Sequence, residues 1–179
     1  MKATYFLLPL SMLLLTSCSP TLNYFTKDLY EDNRWSDDEL RQIQFYLSND
    51  IVLRREASSG DSQIRDGEIR IRNGRKVEEI VIPRGTPGVF LFSPKENRFA
   101  VSFEKNDNNR YLMFGPNPKA GDRFVLLASE WDRRQGKVTY DNSTWWVDGD
   151  AAFASLMVDL KRSRKVSVRS RVAQGRTVE

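Results

Sequence analysis

The sequence predicts a mainly β protein: an N-terminal helix followed by a small antiparallel β-barrel, with a β-sandwich as the alternative. Three observations carry this expectation. From residue 51 onward, apolar residues recur at a period of two in short runs. Clusters of Gly, Pro, Asn and Asp punctuate those runs every 8 to 12 residues, the spacing of turns in an all-β domain. Only the stretch from residue 36 to 47 carries a helical period, behind a helix start signal. The barrel is preferred over the sandwich because it closes sheet edges that no disulfide or large helix would protect.

The helix signal is Ser36-Asp37-Asp38-Glu39. Ser36 can accept from the Glu39 amide while Glu39 reaches back to the Ser36 amide, a capping box. The acids also suit the positive end of the helix dipole. Leu40, Ile43 and Leu47 then share a face, which predicts a helix over 37–47 stopped by Ser48-Asn49-Asp50, with Trp35 placed to staple onto Leu40.

The strands follow. Residues 51–56 form a first apolar run, and a Ser/Gly loop covers 57–61. Residues 68–72 alternate strictly, Asn73-Gly74 is a strong hairpin signal, and 76–82 return. Arg84-Gly85-Thr86-Pro87-Gly88 suits a type II turn. Residues 89–92, 99–103, 111–114 and 124–128 read as strands, the middle two joined across Asn106-Asp107-Asn108-Asn109. Residues 137–140 and 144–147 form a hairpin across Asp141-Asn142-Ser143. Residues 151–160 fit a short helix or a strand, and 165–172 alternate once more. The total is eight to ten strands without internal repeats.

The start of the chain has a different character. Lys2 gives a positive end, residues 5–15 are apolar, and Thr16 and Ser17 are small residues at a cut site, the layout of a secretory signal. The apolar run is shorter than the roughly 20 residues a membrane-spanning helix needs. Leu15-Thr16-Ser17-Cys18 resembles the lipobox of bacterial lipoproteins: an aliphatic residue, two small residues, then the cysteine, here the only one in the chain. The resemblance implies cleavage before Cys18, a diacylglyceryl thioether on its sulfur and an acyl chain on the new amino terminus. Two or three acyl chains hold a protein on a membrane stably. Ser19 stands where an Asp would resemble the inner-membrane retention signal, so the expected site is the outer membrane, facing the periplasm.

The expected organisation is therefore a cleaved signal over 1–17, a lipidated cysteine and tether over 18–35, and a helix-plus-β domain over 36–179. The 162 mature residues suffice for one domain. A tether over residues 19–35 could reach roughly 55–60 Å. Leu22, Tyr24, Phe25, Leu29, Tyr30 and Trp35 are too apolar for a free linker, so part of it should pack on the domain or on a partner.

Composition narrows the chemistry. The chain has no histidine, which excludes Ser-His-Asp and Cys-His catalysis and His-ligated zinc or copper. With Cys18 acylated, the resemblance leaves no thiolate and no disulfide. Carboxylate chemistry, a Ser/Lys pair and oxygen-ligated cations remain. Glu104, Asp107, Asp122, Glu130, Asp132, Asp141, Asp148 and Asp150 are scattered, mostly where turn geometry favours Asp.

Two features are candidates for binding. Lys161, Arg162, Arg164, Lys165, Arg169, Arg171 and Arg176 put seven cations into 16 residues. They could engage phospholipid headgroups, lipopolysaccharide phosphates or an acidic partner, or could be the solvated, anti-aggregation face of an edge strand. Nucleic acid fits their charge but not the compartment. Trp145-Trp146, in one strand, should place one ring in the core and one outside, where it could contact a partner or be covered by the tether or helix. The expected function is a non-catalytic interaction or assembly module of an envelope complex, with no cofactor or metal beyond the lipid on Cys18. The alternatives are a carrier of a lipid or other hydrophobic ligand, and a carboxylate-dependent wall hydrolase.

Overall fold

The computed structural model describes residues 21–56, 68–72, 75–105, 109–132 and 134–160. The signal and lipobox, the Ser/Gly loop, the Asn73-Gly74 turn, most of the 106–109 turn, the 165–172 strand and the basic run lie outside the described residues.

Among the described residues, thirteen strands and two short α-helices follow in chain order: β1 (Leu22–Tyr24), α1 (Lys27–Asn33), α2 (Asp37–Leu40), β2 (Gln44–Leu47), β3 (Ile51–Glu56), β4 (Glu68–Arg72), β5 (Arg75–Ile82), β6 (Pro87–Lys95), β7 (Arg98–Ser102), β8 (Leu112–Asn117), β9 (Arg123–Leu126), β10 (Glu130–Trp131), β11 (Gln135–Tyr140), β12 (Ser143–Asp148) and β13 (Leu156–Asp159). A 3-10 turn over Gly149–Phe153 precedes β13, so residues 151–160 hold both a helical turn and a strand.

The strands make two antiparallel sheets, a sandwich-like arrangement rather than the expected closed barrel. One sheet has the order β1-β13-β2-β6-β7-β8-β9, the other β10-β11-β12-β3-β5-β4. The physical reason lies at two neighbouring corners. The chain crosses between the sheets at β2–β3, β5–β6, β9–β10 and β12–β13, and no described strand of one sheet pairs with a strand of the other; the first two crossings are the neighbouring corners. The corners are bonded to each other: Gly85 N–H donates to Leu47 O at 2.7 Å, and Arg84 N–H to Asp50 Oδ1 at 2.7 Å. The second corner is a turn of the expected kind but placed earlier: Thr86 N–H donates to Pro83 O with Gly85 at φ 77° in third position, while Pro87 and Gly88, the Pro and Gly of the type II reading, belong to β6.

The expected helix over 37–47 is corrected. Its start is as read: Ser36 N–H donates to Glu39 Oε2 at 2.9 Å and Glu39 N–H to Ser36 Oγ at 3.4 Å. It ends at Leu40, however, and β2 pairs with β6 and β13. Leu40, Ile43 and Leu47 are all buried, as helical spacing expected, but so is Phe45. Phe45 and Leu47 obey period two, and two partner strands satisfy the backbone of 44–47 better than an isolated third turn of helix would.

The expected tether is corrected too. Residues 22–35 belong to the domain. β1 pairs with β13, while Phe25 and Trp35 are buried. Phe25 N–H donates to Leu156 O at 2.9 Å, and Phe25 O accepts from Phe124 N–H at 2.9 Å. Phe25 thus bonds both to β13 and to β9, the far edge of the same sheet. Along the same seam lie two isolated bridges, Thr26 with Arg123 and Val125 with Ser155, and a bond from Leu126 N–H to Ala154 O at 2.8 Å.

One apolar core lies between the sheets. Phe45, Phe90, Phe99, Phe114, Phe124 and Leu156 fill it from the seven-stranded sheet, and Ile51, Leu53, Val138, Trp145 and Val147 from the other. The Phe25 ring sits 4.9 Å from Phe124, 5.2 Å from Phe45, 5.7 Å from Phe99 and 6.0 Å from Trp35, centroid to centroid.

Two stability outcomes follow. Phe25→Ala removes a fully buried ring and should cost about 3–5 kcal/mol, read as a lower urea midpoint at unchanged m-value. Ser36→Ala should cost about 1 kcal/mol through the cap. Bonds from the Ser36 amide and hydroxyl hold the Glu39 carboxyl below its ordinary pKa. Its contribution is therefore present above the unfolded-state pKa and lost as pH falls through the lowered folded value. The advantage of wild type over Glu39→Ala should shrink on acidification in melting experiments.

Candidate functional site

The six-stranded sheet carries both candidate aromatic side chains. Asp141 and Asn142 join β11 to β12 with φ of 48° and 54°, the left-handed pair that a tight hairpin requires. Alternation from this turn sends Trp145 inward, at 2% exposure, and Trp146 outward, at 39%.

Strand register builds a row around Trp146. Lys137 on β11 is opposite Trp146, Trp146 is opposite Arg54 on β3, and Arg54 is opposite Glu79 on β5. The Lys137 ammonium lies 5.9 Å from the Trp146 ring centroid. Arg54 donates from Nε to Glu79 Oε2 at 2.8 Å and from Nη1 to Asp148 Oδ2 at 2.6 Å. Burial opposes the Arg54 charge, but the bonds to Asp148 and Glu79 outweigh it and hold its pKa above the ordinary arginine value. The result is an exposed indole in a fixed row of charges, a surface suited to a partner with both apolar and polar groups.

On the inward side a polar network links the sheets. Trp145 Nε1–H donates to Tyr140 O at 3.1 Å, and the Arg55 guanidinium lies 4.7 Å over the Trp145 ring. Arg55 Nε donates to Glu78 Oε2 at 2.6 Å. The Tyr140 hydroxyl donates to Glu104 Oε1, and Arg110 Nη1 to Glu104 Oε2 at 2.7 Å. Arg110 Nε also lies 3.5 Å from Asp141 Oδ2. Burial, then the bond to Glu104, push the Tyr140 phenol well above its ordinary pKa.

The scattered carboxylates are thereby accounted for in part. Glu104 and Asp141 converge, but on the Arg110 guanidinium. Asp148 is bonded to Arg54. Asp132 accepts from the amides of Arg134 and Gln135 at 2.7 Å each, which holds its carboxyl below the ordinary range and marks it as a turn residue. Among the described residues no cluster of three or more acids could hold a metal ion, and no helix is long and apolar enough to cross a membrane.

Several surface features escape a linear reading. Arg54 and Lys137 flank Trp146 only through register. Trp131 covers Gly136, where a Cβ would lie 2.4 Å from the indole. Tyr24, Phe92 and Phe153 are also exposed. Cys18 and the cations from Lys161 to Arg176 lie outside the described residues.

Tyr140→Phe would leave a Glu104 oxygen without its donor, at a cost of about 1–3 kcal/mol in chemical denaturation. In an alkaline absorbance titration, Tyr140 should ionise only as the fold is lost, so the variant should keep the reversible part of the wild-type curve.

No protein-family model, curated protein sequence or solved structure matches the chain.

Proposed function

We propose that the chain is an outer-membrane lipoprotein, held by acyl chains on Cys18, whose periplasm-facing β-domain is a non-catalytic interaction module of an envelope complex. The exposed Trp146 between Lys137 and Arg54 is the observation that carries the interaction reading. An indole fixed on a rigid sheet offers contact area at small entropic cost, which is why tryptophan recurs at binding hot spots. The lipobox supports the anchor. The aromatic packing between the sheets favours docking over carriage, since a carrier needs an empty apolar interior. Arg110 between Glu104 and Asp141 favours it over hydrolysis, which needs two carboxylates facing a sugar across a groove.

The test is a detergent-extracted pull-down from native membranes with the anchor intact, read by mass spectrometry. A stoichiometric envelope protein should co-purify. Trp146→Ala should weaken its capture by about 2 kcal/mol, more than a tenfold loss of affinity, at an unchanged melting temperature. Cys18→Ser should leave an uncleaved precursor or release the chain from membranes. A monomer carrying bound lipid would instead assign the carrier role, and unchanged membrane partition of Cys18→Ser would remove the lipoprotein reading.

A further inference from the structure

The sheet face that carries Trp146 is polar on every side of the ring. Register places Lys137 and Arg54 to its left and right, and alternation along β12 places Thr144 and Asp148 before and after it. Gln135 lies opposite Asp148 and Thr139 opposite Thr144, both exposed. Glu130 on β10 continues the row beyond Lys137. A partner that covered the indole with a wholly apolar surface would strip water from these groups and leave them unpaired, which offsets the gain from the ring. The surface that fits is apolar over the width of one ring and hydrogen-bonding at its margin.

The charges narrow the partner further. Lys137 and Arg54 stand against Glu79, Asp148 and Glu130, so the face offers no excess of positive charge to a phosphate or a polyanion. Arg54 spends its charge within the sheet, bonding from Nε to Glu79 and from Nη1 to Asp148. Those bonds fix the directions of its remaining N–H groups and of the Asp148 carboxylate, whose side chain is 57% exposed. Groups held in this way bind a ligand with little further loss of side-chain entropy. From Glu130 on β10 to Glu79 on β5 the row crosses five strands, about 19 Å at the spacing of a sheet. That length suits a chain of several units.

A sugar meets these requirements. A pyranose ring has a face of C–H groups and a rim of hydroxyls that both donate and accept. We propose that the outer face of the six-stranded sheet binds a neutral saccharide chain. One sugar ring lies on the Trp146 indole, and hydroxyls of that unit and its neighbours bond to Lys137, Arg54, Asp148 and Gln135. The inference rests on the reading of Trp146 as a contact residue and names what it contacts. The source is the cell-wall glycan: a periplasm-facing domain shares its compartment with the wall, whereas the three carboxylates of the row repel the phosphates of lipopolysaccharide.

The experiment uses the full mature chain in detergent and two probes. Chitohexaose, a soluble chain of N-acetylated amino sugars, is titrated by calorimetry, and protein-free wall sacculi are tested by co-sedimentation. Chitohexaose should bind saturably, with an affinity that high salt leaves unchanged. Trp146→Ala should weaken binding to both probes about tenfold, the loss of one stacked ring, at an unchanged melting temperature, and Trp146→Phe should restore most of it. No saturable binding, or equal affinity for wild type and Trp146→Ala, would overturn the inference. Binding of chitohexaose without the sacculi would rule out the wall as the source. The detergent pull-down separates this inference from the reading beneath it. If Trp146→Ala weakens capture of an envelope protein while neither probe binds, the saccharide falls and the contact residue stands. If the substitution changes nothing in either experiment, both fall.

Discussion

Phe25 joins β13 to β9, the far edge of the seven-stranded sheet. Its amide donates to Leu156 in β13 and its carbonyl accepts from Phe124 in β9, while its ring packs against Trp35, Phe45, Phe99 and Phe124. A backbone bonded on both sides and a ring held on several cannot shift without opening the sheet and the core together. The segment around it, with β1 on one side and α1 on the other, therefore belongs to the domain.

The core and the surface divide the work between apolar and polar contacts. Rings close the space between the sheets near Phe25. Farther along, where Tyr140 and Trp145 face the segment after β7, the contact between sheets is the chain of bonds through Glu104, Arg110 and Asp141. Buried polar groups of this kind are costly unless satisfied, and each fixes a direction that apolar packing does not. The hairpin that carries Trp145 inward is thus held rigidly, and Trp146 is displayed outward on the same rigid strand.

Much of this was legible in the linear chain. The capping box at Ser36, the strand over 51–56 and the opposite burial of Trp145 and Trp146 follow from local rules, and all three stand. Residues 44–47 did not yield to such rules. Leu40, Ile43 and Leu47 fit a helix while Phe45 and Leu47 fit a strand, and burial of all four was decided by two partner strands that lie far away in the chain. Phe25 was visible as an apolar residue in a stretch too apolar for a linker, but not as the residue between β13 and β9. Arg54 and Lys137 were invisible as neighbours of Trp146, because register between β3, β11 and β12 has no local signature.

The sequence by itself determined the β class, the start of α2 at Ser36, the hairpin turn at Asp141-Asn142 and the expectation of a lipid at Cys18. Each depends on residues within a few positions of one another, where propensity and hydrogen-bonding reach are enough. Only the tertiary structure decided that the strands divide into two sheets rather than one ring, and that residues 22–35 are part of the fold. Those outcomes depend on which distant strands pair and in which register. Pairing is settled by the burial of a shared core, a quantity no local stretch contains.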